Sequence, residues 1–202
     1  MSIRAVYFDL GGVILRTEDK VPRTKLAERF GLDYRGIEKI VFENESGRRA
    51  GIGEINEADH WRNVAGVLKR PEAEWELLRE QFFAGDRLDR ELLEFMRGLR
   101  PGVKVGLISN AWEGMRSWIA GQKFEDVFDG LTISAEVGIA KPEGGIYAYA
   151  LKQLGVRPEE AVFFDDLPEN VRGAQAAGMQ GFIFSSTQAA MAEIRALLAT
   201  TA

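Results

Sequence analysis

Five short segments of this chain, 3–8, 103–108, 131–133, 161–165 and 181–184, are rich in β-branched and aromatic residues. Four of the five are apolar nearly throughout, as in Val103-Lys104-Val105-Gly106-Leu107-Ile108 and Ala161-Val162-Phe163-Phe164-Asp165. A strand with one wet face alternates apolar and polar residues, whereas an unbroken apolar run implies cover on both faces. Between and beside these runs, 112–122, 143–155, 168–178 and 187–200 carry apolar residues at three- and four-residue spacing. Strands alternating with helices predict an α/β fold, a Rossmann-like open parallel sheet with helices on both faces.

One stretch departs from the alternation. From 16 to about 85 the pattern contains no convincing strand, only helical periodicity. Trp61, Val64 and Leu68 share one helix face, and Trp75, Leu78 and Phe82 share the next. Pro22 and Pro71 suit first turns of helices. These aromatic stripes read as packing. The predicted organisation is an α/β core at 1–15 and 86–202, with a helical cap at 16–85 over the carboxyl ends of the strands.

Composition narrows the function. The 202 residues suit one average core, or one core with an insertion, and 46% hydrophobic residues can fill it. Cysteine is absent, which removes thiol nucleophiles, disulfides and thiolate metal sites. A net charge of −5 with scattered arginines argues against a nucleic-acid partner and for a small molecule. No apolar run reaches the roughly 20 residues that span a bilayer, so no membrane partner is expected. No secretory leader pattern is seen, since Arg4 interrupts the first apolar residues, and the expected location is cytoplasmic.

In an open α/β sheet, ligands bind beyond the carboxyl ends of the strands. The first run ends in Asp9, which enters the glycine-rich turn Leu10-Gly11-Gly12-Val13; the second ends in Ser109-Asn110 and the fourth in Asp165-Asp166, with Lys141-Pro142 in the loop before it. Each has an ordinary explanation. Asp9 can form the turn through local backbone N–H groups, Ser109 and Asp165-Asp166 can cap helices, and Lys141 can be solvated. Together they place carboxylates, a hydroxyl and an ammonium at one sheet edge. Converging carboxylates repel unless a hard cation separates them, and oxygen ligands suit magnesium. Asp9 has the chemistry to attack phosphorus as a carboxylate, while Ser109, the backbone after it and Lys141 balance charge on the transferring oxygens.

This arrangement resembles the haloacid dehalogenase superfamily, in its phosphatase subgroup with a helical cap after the first motif. The four motifs correspond to Asp9-Leu10-Gly11-Gly12-Val13, Ser109-Asn110, Lys141-Pro142 and Phe164-Asp165-Asp166-Leu167-Pro168-Glu169-Asn170. The resemblance implies a magnesium-dependent phosphatase acting on a small phosphorylated metabolite through an aspartyl-phosphate. It implies Asp9 as nucleophile and metal ligand, with the Gly11 carbonyl as a second ligand. Asp166 would bind the metal directly, and Asp165 through water or by holding the site together. Ser109 and Asn110 would bind phosphoryl oxygens, and Lys141 would bridge nucleophile and phosphate.

Gly11 departs from the family pattern. Most of these phosphatases carry a second Asp there, which protonates the leaving oxygen and later activates water. General acid–base help of that kind contributes about 10²–10⁴ in rate. The substrate can instead have a good leaving group, as in a sugar 1-phosphate, acyl phosphate or phosphoanhydride. The Asp-Leu-Gly-x-Val pattern resembles a sugar-phosphatase branch, which favours this reading. A cap residue such as Glu43, Glu45, Glu54 or His60 can alternatively supply the proton, although cap charges usually face water. The third alternative is a catalytically weak or silent phosphate-binding protein. Arg48 and Arg49, between Gly47 and Gly51, can sense a second anionic group, with surface solubility the stronger expectation. A haloacid dehalogenase would dispense with the carboxylates at Asp165-Asp166, and a phosphomutase is neither supported nor refuted by Gly11.

Overall fold

The computed structural model describes residues 2–199. Its main sheet contains β1 (Ala5–Phe8), β4 (Lys104–Ser109), β5 (Gly130–Ile133), β6 (Ala161–Asp165) and β7 (Gln180–Ile183). Their order is β5-β4-β1-β6-β7, and every neighbouring pair is parallel. All five predicted strands are present, displaced by no more than two residues at their ends. β1 and β6 are buried along their whole length, and β4 is buried after Lys104. That double-sided burial is the cause of their unbroken apolar sequence.

Helices cover both faces. One apolar cluster joins Val6, Phe8, Leu107 and Phe164 to Leu93, Ile119 and Ile194. These last three come from α6 (Arg90–Leu99), α7 (Met115–Gly121) and α11 (Thr187–Ala199). On the other face, Tyr7, Ile108 and Phe163 pack on Ile146 and Ala174, from α9 (Gly144–Leu154) and α10 (Pro168–Ala176). A single turn, α8 (Ser134–Val137), follows β5. Because the chain runs from β1 to β4 on one side and reaches β6 on the other, a crevice opens at the carboxyl end of β1.

Residues between β1 and β4 form α1 (Val21–Glu28), α2 (Tyr34–Glu38), α3 (Glu45–Gly51), α4 (Glu57–Val67) and α5 (Trp75–Phe83). A π-helical segment, Lys39–Glu43, continues α2. Leu26, Ile37, Trp61, Val64, Leu78 and Phe82 give these helices a hydrophobic cluster of their own, against which Trp112 packs from the other part of the chain. Two details differ from expectation. Pro71 precedes a 3-10 turn, Glu72–Glu74, and does not open α5. The stretch also begins and ends in strands, β2 (Leu15–Thr17) and β3 (Asp86–Leu88), which pair antiparallel. Three residues are too few to display a period of two, so the sequence pattern cannot reveal such strands.

That strand pair is fastened by a buried arginine. Arg23, 4% exposed, donates to Glu38 Oε1 at 2.9 Å, to Asp86 Oδ1 at 3.1 Å and to the Phe82 carbonyl at 3.2 Å. Its guanidinium carbon lies 4.0 Å from the Phe82 ring centroid. Thr17 also donates to Asp86 Oδ1, at 2.7 Å, so one residue of β3 is tied to both β2 and α1.

Candidate active site

Asp9 emerges from β1 into a tight turn. The turn closes through the Leu10 and Leu15 carbonyls, which accept from Ile14 N, Leu15 N and Gly12 N; the Gly11 carbonyl takes part in none of these bonds. Gly12 has φ +76°, and a Cβ placed there would fall on the Asp166 carboxylate. A side chain at position 12 would therefore strain the backbone and push the Asp166 carboxylate aside. At Gly11, by contrast, an added Cβ meets no atom within 4 Å.

The Lys141 ammonium joins two strand ends. Its Nζ lies 2.8 Å from Asp9 Oδ1 and 2.6 Å from Asp165 Oδ2, with the lysine side chain 1% exposed. Asp9 Oδ1 also accepts from the Leu10 N–H at 2.7 Å. Asp165 is fully engaged. Its Oδ1 accepts from Leu167 N at 2.8 Å, and Asn170 Nδ2 donates to both carboxylate oxygens at 3.1 Å. A buried carboxylate with this many donors is fixed in orientation and holds the lysine in place.

Carboxylate oxygens of Asp9, Asp165 and Asp166 lie within 4.8 Å of one another. Burial pushes the Asp9 carboxyl up to about 6, an effect reduced by the Lys141 charge and reinforced by that of Asp165. Asp166 is exposed as a residue, yet its carboxylate is tucked against the Gly12 turn. That burial, with the charge of Asp165 beside it, raises its pKa. Two acids held above their ordinary range form a site whose charge calls for a cation. The converging donors of Asp9, Asp165 and Asp166 are all carboxylate oxygens, the ligand type magnesium prefers.

The structure thus brings together Asp9, Lys141, Asp165 and Asp166, and places Ser109, 2% exposed, at the end of the neighbouring β4. The Asn110 side chain exchanges two hydrogen bonds with the Lys141 backbone, accepting from Lys141 N at 2.8 Å and donating to Lys141 O at 2.9 Å, which leaves its own backbone N–H as the group that can meet a phosphoryl oxygen. The side chain anchors the lysine loop to β4. Ser134 holds the next residue in the same way, accepting from Ala111 N at 3.0 Å.

The alternative proton donors on the helical stretch already have partners. Glu43 pairs with Arg35, Glu45 with Arg48, and Glu54 with Arg49 at 3.1 Å. Arg48 and Arg49 thus sit in exposed ion pairs on α3. His60 is fully buried, its Nδ1 2.9 Å from Ser46 Oγ, and desolvation pushes its pKa down to about 4. Sequence reasoning assigned no role to Gly12 or Asn170. A glycine pair after Asp9 and an amide one helical turn beyond Asp166 were the signals present in the chain.

The haloacid dehalogenase-like hydrolase family model matches residues 3–178. The chain belongs to this family of hydrolases. A sesquiterpene phosphatase from Aspergillus oryzae is 27% identical to this hydrolase over 199 residues, covering 98% of this chain and 97% of its own. A D-ribitol-5-phosphate phosphatase from Bacteroides thetaiotaomicron is 27% identical over 198 residues, covering 89% and 91%. Among solved structures, a haloacid dehalogenase family enzyme from Bacteroides thetaiotaomicron, in complex with magnesium and inorganic phosphate, aligns with a TM-score of 0.75. It is 22% identical and covers 91% of this chain and 95% of its own, a likeness of fold.

Proposed function

We propose that this hydrolase is a magnesium-dependent phosphatase that cleaves a small phosphorylated metabolite through an aspartyl-phosphate on Asp9. The observation that carries this reading is the Lys141 ammonium between Asp9 and Asp165, with the Asp166 carboxylate beside them. Relatives named as phosphatases of ribitol 5-phosphate and of sesquiterpenes support phosphoryl chemistry on small molecules. The helical stretch at 16–85, with its own hydrophobic cluster, is read as a cap over the site.

In this reading Asp9 attacks phosphorus with the carboxylate oxygen that Lys141 does not hold. The bond from phosphorus to the leaving oxygen breaks, and water then releases phosphate and restores the carboxylate. Lys141, fixed by Asp165 and by the Asn110 anchor, orients Asp9 and balances charge on the transferring oxygens. Ser109 and the backbone after it face those oxygens. Asp9, Asp166 and the Gly11 carbonyl would hold magnesium, while Asp165 supports it indirectly through Lys141. Bound there, the ion would neutralise charge on the phosphoryl group. No side chain occupies the space beside Gly11, and Glu43, Glu45 and Glu54 are paired, so the leaving group departs without a dedicated acid. That suits a leaving oxygen of low basicity, such as that of a sugar 1-phosphate or an acyl phosphate.

The test is phosphate release with magnesium from sugar 1-phosphates, sugar 6-phosphates, nucleotides and acyl phosphates. Turnover should vanish in Asp9→Asn; turnover that survives the substitution sinks the mechanism. The same open space at Gly11 favours a second reading, a silent phosphate-binding protein, which predicts magnesium and phosphate binding with no release from any substrate.

A further inference from the structure

Val13 and Ile14 belong to the turn that carries Asp9 and Gly11, and both are fully buried. The turn closes on itself through the Leu10 and Leu15 carbonyls, so the carbonyls of Val13 and Ile14 find their donors outside it. A buried carbonyl left without a donor is costly. Arg16, on β2, supplies the first donor: its Nη1 reaches Val13 O at 2.7 Å. Asp89 supplies the second, its backbone N–H donating to Ile14 O at 2.8 Å. The same two residues hold each other, with Arg16 Nη1 2.7 Å from Asp89 Oδ2.

Asp89 is itself immobilised. It is 7% exposed and caps α6, accepting from Leu92 N at 2.8 Å. Its Oδ2 also accepts from the Thr187 hydroxyl, at the start of α11. Arg16 lies in the strand that leaves the α/β core, and Asp89 directly follows the strand that returns to it. One ion pair thus joins the Asp9 turn to α6 and α11. A charge-assisted bond within such a network fixes geometry as well as adding energy.

We propose, on the phosphatase reading above, that Arg16 and Asp89 are positioning residues. By holding the Val13 and Ile14 carbonyls they set the course of the turn from which Asp9 and the Gly11 carbonyl meet magnesium and phosphate. The pair acts on the reaction through the turn alone.

The experiment compares Arg16→Met and Arg16→Lys with the wild type, and with Arg23→Met, which removes a buried arginine from the same strand pair but leaves the turn its donors. Hydrogen exchange on metal-free protein, followed by NMR, reads the Gly12, Ile14 and Leu15 amides, all bonded within the turn. Relative to the amides of β6, their exchange should quicken by at least about tenfold in Arg16→Met and stay as it is in Arg23→Met. Magnesium affinity, by titration calorimetry, should fall by about 10–100-fold. At saturating magnesium, kcat for acetyl phosphate should fall by a similar factor with KM nearly unchanged, because Ser109 and Lys141 still bind the phosphate. Arg16→Lys, which keeps the charge, should restore most of each loss. Should Arg16→Met not fold, Asp89→Asn keeps the backbone bond to Ile14 and should shift the same readouts in the same direction. Unchanged exchange and magnesium affinity in the folded variant, or equal losses in Arg23→Met, overturn the proposal. A wild type that releases no phosphate removes the phosphatase reading alone, since exchange and magnesium titration still report on the turn.

Discussion

Lys141 Nζ lies 2.6 Å from Asp165 Oδ2, and this buried pair aims the same ammonium at Asp9, 2.8 Å away. Three charges share a space from which water is nearly excluded, so each depends on the others. Removing one partner of a buried pair costs about 3–5 kcal/mol, because the remaining charge is left without compensation. Lys141→Met should therefore abolish phosphate release and also lower the melting temperature, measured by calorimetry without magnesium. Adding Asp165→Asn to that variant should recover part of the stability and none of the activity.

The acids of the tandem pair should separate experimentally. Asp166 is free to meet a cation, whereas both oxygens of Asp165 accept hydrogen bonds within the protein. Asp166→Asn should weaken magnesium binding, followed by titration calorimetry, by at least about tenfold. Asp165→Asn should affect stability and turnover more than magnesium affinity. Equal losses of affinity in both variants would mean that Asp165 is itself a ligand.

The two glycines after Asp9 should respond oppositely. At Gly11→Asp the new Cβ meets nothing within 4 Å, and if an acid is what the site lacks, turnover of simple alkyl esters should rise by up to about 10². Gly12→Ala must displace Asp166 and strain a backbone with φ +76°. It should lose magnesium affinity and about 1–3 kcal/mol of stability.

Arg23 should matter to the fold while touching none of the phosphoryl-site residues. Arg23→Met leaves Glu38 and Asp86 facing each other with the guanidinium gone. A loss of about 3 kcal/mol is expected, or roughly 10 °C in melting temperature for a chain of this size.

His60 gives the protein an acid-sensitive element. Burial holds its folded pKa near 4, against an unfolded value of 6.5. Between those values the unfolded chain binds the extra proton, so this contribution to stability is complete above pH 6.5 and is lost as pH falls toward 4. His60→Gln should narrow the gap in melting temperature between pH 7 and pH 5. An unchanged gap would show that other groups dominate.

Parallel strands covered on both faces must be apolar throughout, which is why β1, β4 and β6 are legible from residue type alone. Their polar terminators, Asp9, Ser109 and Asp165-Asp166, are conspicuous for the same reason: charge at the end of a buried run needs a partner. The family, too, is readable from those stations and their order. β2 and β3 are not, because three residues carry no period and pairing joins positions about seventy residues apart. The duties of Asn110 and Asp165 likewise depend on tertiary structure. An amide or carboxylate beside a site looks the same in sequence whether it faces ligand or lysine, and only the folded chain brings Lys141 within reach of both. Sequence determined which chemistry is present, since burial periodicity and residue type are local properties. Tertiary structure decided which groups are already engaged and which stay open, because hydrogen-bond partners and exposure arise only from contacts between distant segments.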